Sequence, residues 1–305
     1  MIPTAQDWPA APLAPPPPPP TAAHGYPPRR RRPVFVALAA AGALVAGAAV
    51  GATIGILTRS PAAVSPGTPR TPSAPSAAAV RAAALYRQAL TAANGSAGFH
   101  YVATTSGDSS NQKFIGDAGQ AAGTQVITLD STYGHEQFTL MLLGGTVYFQ
   151  GNAPSLRDQL GVSATSAPGV AGTWVSVTSA DGPYGVIAPG ITVGDQVGET
   201  LLVPTSSQTL PGGGVRIAGT LPARAAATGT AHLDVAAGTH LPRTYVVSTT
   251  ARGTTTTSTT VFSGWGTRPT VTAPAGAVAW ATLGASTPPG GYGSGGNSTS
   301  PTPAA

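Results

Sequence analysis

Residues 34–57 read VFVALAAAGALVAGAAVGATIGIL, an apolar run without a single charge. At about 1.5 Å rise per residue a helix of that length covers ~36 Å, enough to cross the hydrocarbon core of a bilayer with some tilt. Arg29, Arg30, Arg31 and Arg32 stand before it and Arg59 alone follows it. The excess of positive charge on the N-terminal side predicts a signal anchor with its N-terminus in the cytoplasm and everything after Arg59 outside. A cleaved signal peptide is the competing reading; the apolar stretch and the segment before the arginines are both long for one. Within the run, Gly47, Gly51 and Gly55 share a helix face, a spacing through which two spans can pack as a homodimer. A localisation at the cell membrane as a single-pass protein follows.

The anchor divides the chain into unequal parts. Residues 1–33 form a Pro-rich cytoplasmic tail, 34–57 the span, 58–76 a Pro/Ser linker, 77–285 an extracytoplasmic domain and 286–305 a Gly/Ser/Pro tail. The chain carries 40 Gly and 31 Pro in 305 residues, and the prolines crowd these flanks. Between them lie roughly 200 residues with recurrent apolar runs, enough for one domain with a sizeable core. The net charge of +5 belongs to the flanks. From Ser76 to Ala285 basic and acidic residues cancel, so the domain lacks the basic face that nucleic acid requires. There is no cysteine, which excludes both disulfides and a lipidated cysteine anchor.

The domain opens with AAAVRAAALYRQALTAA (77–93), whose Ala79, Ala82, Tyr86, Ala89, Leu90 and Ala93 fall on one helix face, and Asn94-Gly95 stops it. Strand-like runs follow at 99–105, 112–118, 124–130, 135–143 and 146–151, with Gly144-Gly145 as a hairpin turn between the last two. APSLRDQLG reads as a short helix, GTWVSV as strand, and 181–202 as one or two short helices. GVRIAGTL, GTAHLDVA and RPTVTAP read as further strands. LPRTYVVSTTARGTTTTSTTVFSGWG (241–266) holds eight threonines in the twelve residues from Thr249 to Thr260. Apolar residues at both ends and a central Ala251-Arg252-Gly253 turn predict a hairpin in place of a mucin-like stalk. Thr254, Thr256 and Ser258 would face one way, and Thr255, Thr257 and Thr259 the other. Its hydroxyl-rich arms suit a wet sheet edge. Elsewhere the apolar residues on both sides of a strand, such as Met141 opposite Leu140 and Val126 opposite Ile127, predict strands covered on both faces.

The order of pieces SAGFHYVAT, GDAG, VYFQG, TWVSV, HLPRTYVVST and VFSGWGTRPTVTAP resembles the actinobacterial envelope lipoproteins of the LppX/LprG type and, more broadly, the LolA-like fold. The matching region runs from roughly Ala78 to Ala279. The resemblance implies an α+β fold: a curved antiparallel half-barrel of about ten strands packed around helices, with an apolar cavity for acyl chains. It also implies a carrier or presenter of lipid in the cell envelope. One departure is plain, since that family is tethered by an acylated cysteine and this chain by a transmembrane helix.

Catalytic chemistry has little to work with. His135 and Glu136 are strand neighbours and face opposite ways; His232 and Asp234 share a face but supply too few ligands for tetrahedral zinc. Ser110 and Lys113 match S-x-x-K without its companion elements, and no GxSxG, Walker loop or HExxH occurs. No catalytic residue, metal site or cofactor is expected, and the domain reads as a non-enzyme. Trp174 and Trp265 read by default as core or sheet-corner aromatics, with the lining of a ligand cavity as the alternative. The favoured function is a membrane-anchored extracytoplasmic domain that binds a lipid or another hydrophobic ligand. By alternation its cavity is lined by Phe99, Tyr101, Ile127, Leu129, Phe138, Leu140, Leu142, Phe149 and Leu233. The alternative is a ligand-free sensory or protein-interaction ectodomain that signals through the span and has a filled core.

Overall fold

The computed structural model describes residues 74–107, 110–132, 134–222, 228–251 and 253–286. The segment expected to form a cytoplasmic tail, the run at 34–57 expected to span the membrane with Gly47, Gly51 and Gly55 on one face, most of the linker and nearly all of the C-terminal tail lie outside them. Among the described residues, no helix is long and apolar enough to cross a membrane.

Helix α1 (Ala77–Asn94) starts where the Ser76 hydroxyl accepts the Ala79 N–H at 3.2 Å, and it ends on Gly95, whose N–H donates to Thr91 at 3.1 Å. Its buried face is Ala82, Ala89 and Ala93, small side chains that bring the helix backbone close to the sheet. The strands are β1 (Gly98–Gly107), β2 (Ser110–Gly119), β3 (Gly123–Ser131), β4 (Gly134–Leu143), β5 (Thr146–Gly151), β6 (Val175–Val177), β7 (Val203–Thr209), β8 (Val215–Thr220), β9 (Gly229–Val235), β10 (Pro242–Ala251), β11 (Thr254–Ser263) and β12 (Val278–Ala279). Between β5 and β7 come four short helices: α2 (Ala153–Leu160), α3 (Ala167–Val170), α4 (Tyr184–Ile187) and α5 (Val193–Gly198).

All twelve strands join one open sheet in the order β12-β6-β5-β4-β3-β2-β1-β11-β10-β9-β8-β7. Every pairing is antiparallel except β12 with β6. The chain therefore runs outward from β1 to one edge, returns through the helices to the other edge at β7, and comes back to pair β11 with β1. That last pairing joins the two halves of the sheet. The helices lie on the inner face, with α1 against β7, β8 and β10, α2 against β4, and α5 against α1 and β2.

Three sequence expectations are corrected, and one strand was not expected at all. Val203–Thr209, with its proline, serines and glutamine, carries no clear strand signal but forms β7. An edge strand tolerates Pro204, and the ladder shifts register between Pro204 and Ser206. RPTVTAP, expected as strand, forms none. The threonine hairpin is real, but β10 and β11 stand between β1 and β9 instead of at an edge. Ala251 pairs with Thr254, and Gly253 between them takes φ 84°. Finally, the strands are buried on one face only: Ile127 is buried while Val126 opposite it is 39% exposed. Single-sheet burial is enough because the helix layer supplies the second half of the core.

Candidate functional site

Strand pairing places inner-face side chains in cross-strand rows. One row runs Val175, Phe149, Leu140, Gln125, Gly116, Tyr101, Phe262 from β6 to β11. The next runs Phe138, Ile127, Phe114, Ala103, Thr260, Tyr245, Leu233, Ile217 from β4 to β8. The third runs Glu136, Leu129, Gln112, Thr105, Ser258, Val247, Ala231. The nine residues expected to line a cavity all fall on this face, and the pleat explains why alternation found it. Eight are buried and Leu129 is half-buried.

Aromatic rings occupy much of the space between them. Phe138 stacks on Phe149 with ring centroids 5.0 Å apart, and Phe99 meets Tyr101, Phe262 and Trp265 at 6.0, 5.6 and 4.3 Å. Tyr101 lies across β2 so closely that a Cβ at Gly116 would meet its ring at 2.6 Å, which makes glycine obligatory there. Leu156 and Leu160 of α2 and Ile191, Val193 and Val197 at α5 complete this core. A cavity of about 10 Å³ remains between α5 and β10–β11, beside Gln196, Thr200, Tyr245, Ser258 and Thr260. That is room for about one water. A larger groove of about 330 Å³ lies where residues 264–270 cross β1 and β2, and Phe99 is the one expected cavity residue that borders it. Trp265 joins the core and donates its indole N–H to Pro242 at 2.8 Å, whereas Trp174 is half-buried beside β6.

The covering segment 190–202 is tied down by three tyrosines. Tyr101 donates to the Gly190 carbonyl at 3.3 Å, Tyr245 to Leu201 at 2.6 Å, and Tyr86 of α1 to Thr200. Gln196 donates to the same Gly190 carbonyl. Burial pushes both Tyr101 and Tyr245 far above the ordinary phenol range, so they stay neutral donors. Sequence reasoning missed this arrangement, because each acceptor is a main-chain carbonyl that carries no residue signature.

It also missed the polar third row. Thr105 is 2% exposed and Gln112 8%, and Ser258 is buried with them. The Thr105 hydroxyl donates to Ser258 Oγ at 3.0 Å. Gln112 Oε1 is buried and has no hydrogen-bond partner. Glu136 accepts one bond, from Gln159 Nε2 at 2.9 Å, and burial raises its carboxyl above the usual range. The period-2 pattern already placed Gln112 on the face of Phe114; only its burial was illegible.

Other chemistry-bearing residues point elsewhere. Arg216 grips both carboxylate oxygens of Asp234 at 2.7 Å. Burial, and after it the Arg216 charge, hold His232 below its usual range. His135 turns outward and meets Asp130 at 2.6 Å, while Glu136 turns inward. Ser110 and Lys113 stand on opposite faces of β2 and cannot act together. Among the described residues no cluster of three metal-ligating side chains occurs.

No protein-family profile matches the chain, and no curated protein matches it. Among solved structures it is similar to LprF from Mycobacterium bovis, with a TM-score of 0.40 and 16% identity over 67% of this chain and 100% of that one. It is similar to lipoprotein LppX of Mycobacterium tuberculosis, with 0.38 and 14% over 63% and 99%. A hypothetical protein of Chlamydia trachomatis, CT021, gives 0.28 and 12% over 62% and 96%. LppX, a lipoprotein by its description, is of the type that the order of motifs in this sequence resembles.

Proposed function

We propose that the domain binds a lipid or another hydrophobic ligand against the inner face of its sheet, and that it is held outside the cell membrane by the span at 34–57. The carrying observation is the nature of the cover. Eight of the nine candidate residues are buried on an open sheet, and what lies over the centre of that face is a set of four- to eight-residue helices instead of a second sheet. Helices this short have little stability of their own and depend on packing. Moving them apart from Phe138, Leu140 and Phe149 would open an apolar trough, and each methylene of an entering chain would contribute about 0.8 kcal/mol. No chemical step is required of the protein. Pairing of two spans through Gly47, Gly51 and Gly55 would bring two such domains to one place on the membrane.

Phe138→Asp tests this against Thr104→Asp on the outer face. Mass spectrometry of organic extracts of the purified full chain should find lipid with the wild type and Thr104→Asp, and none with Phe138→Asp. Equal lipid in all three would rule the trough out.

The packing favours a second reading in one respect: the core is filled, as a ligand-free sensory or interaction ectodomain requires. Removal of residues 1–28 separates the two. A lipid holder tolerates the loss, whereas a protein that signals through its span does not.

A further inference from the structure

We infer that the third inner-face row is a headgroup site, in which Gln112 Oε1 and the Glu136 carboxylate accept hydrogen bonds from an uncharged, hydroxylated headgroup whose hydrocarbon tail lies along the apolar rows. This rests on the inner face being a hydrophobic-ligand site. The first observation is the orphan: Gln112 is 8% exposed and its carbonyl oxygen meets no donor. A buried acceptor left unmatched costs stability and calls for a physical reason. The second is its company. Thr105 and Ser258, next to it in the row, are buried hydroxyls, and the Thr105 proton is already committed to Ser258. On the other side Leu129 separates Gln112 from Glu136, whose carboxylate receives one bond from Gln159.

The group left without a partner is the Gln112 carbonyl oxygen, so what is missing beside it is a donor. Gln112 and Glu136 sit two strands apart, about 10 Å, which suits a headgroup with more than one hydroxyl and not a single alcohol. Neutral partners dominate, and burial already disfavours the charged form of Glu136, so a hydroxylated group fits better than an ammonium. The polar row directly adjoins the Phe138–Ile127–Phe114 row, so head and tail of one amphiphile can be held at once.

The full chain, kept in solution by an amphipathic polymer, is incubated with radiolabelled monooleoylglycerol, methyl oleate or oleylamine, and retained label is counted after gel filtration. Wild type should retain monooleoylglycerol well above methyl oleate. Gln112→Leu should lower monooleoylglycerol retention roughly tenfold, the effect of one buried hydrogen bond, and leave methyl oleate unchanged. Unfolding of Gln112→Leu by urea should occur at equal or higher concentration than wild type, which shows that the loss is not misfolding. Equal retention of monooleoylglycerol and methyl oleate by wild type, or an unchanged ratio in Gln112→Leu, overturns the headgroup site and leaves the apolar trough standing. A preference for oleylamine overturns the uncharged headgroup. Retention of no probe at all overturns the hydrophobic-ligand reading itself.

Discussion

The two halves of the inner face are built on the same ladder and hold opposite contents. Where β4 and β5 face α2, the rings of Phe138 and Phe149 stack, and Phe149, Leu156 and Leu160 are fully buried. Where β1 and β11 meet, toward the tip of the threonine hairpin, the buried residues include the polar Thr105, Gln112, Thr249, Ser258 and Thr260. The first half is an ordinary core, stabilised by removal of apolar surface from water. The second buries polar groups at a cost that its internal hydrogen bonds only partly offset. The difference teaches that stability is concentrated in one half and that the other half is shaped by something besides stability.

The strongest way to break this contrast is at the dry end. Phe149→Ala should lower the unfolding free energy by about 3–5 kcal/mol, read as a fall in the urea midpoint at unchanged slope. A loss under about 1 kcal/mol would mean that this half is loosely packed after all. Between the halves, Tyr245→Phe removes the hydroxyl that ties Leu201 to β10 and leaves the carbonyl to water or to nothing. A loss of about 1–2 kcal/mol is expected, with faster hydrogen exchange confined to residues 190–202. Exchange that rises evenly over the whole domain would show that the segment does not open on its own.

At the polar end the sign reverses. Gln112→Leu should raise stability by about 1 kcal/mol, because it replaces an unmatched acceptor with a side chain of similar reach. Glu136 sharpens the point through pH. Its folded-state pKa lies above its unfolded value, so the folded state holds the proton more firmly. Stability is therefore highest below the ordinary carboxyl range and declines as pH rises through the raised value. Glu136→Gln should match wild type in acid and exceed it at neutral pH; a gap that widened toward acid would reverse the assignment. The smallest effect belongs to the outer face, where Thr257 bonds Ser248 at 3.3 Å in contact with solvent. Thr257→Val should shift stability by no more than about 0.5 kcal/mol.

Much of this sheet was legible in the chain because strands with one buried face write themselves in alternation. Phe138, Leu140 and Leu142 could be assigned to a common face, as could Thr256 and Ser258 against Thr255 and Thr257, and the structure agrees. β7 was not legible, because an edge strand needs neither apolar residues nor a full set of N–H donors. The packing of the inner face was not legible for a different reason. Alternation says that Tyr101 points inward, but not that its ring crosses β2 over Gly116.

By itself, then, the sequence determined the first helix, most of the strands between residues 98 and 263 with their inner-face side chains, and the expectation of an anchor at 34–57. These are local properties, set by periodicity, turn residues and hydrophobic length, and a neighbouring segment does not alter them. Tertiary structure alone decided that β1 pairs with β11, and so that Thr105 meets Ser258 across 153 positions of chain. It also decided that Gln112 is buried without a partner and that three tyrosine hydroxyls close on main-chain carbonyls. Such contacts depend on which surfaces are brought together over long sequence separations, and hydrogen bonds to carbonyls leave the identity of the accepting residue free.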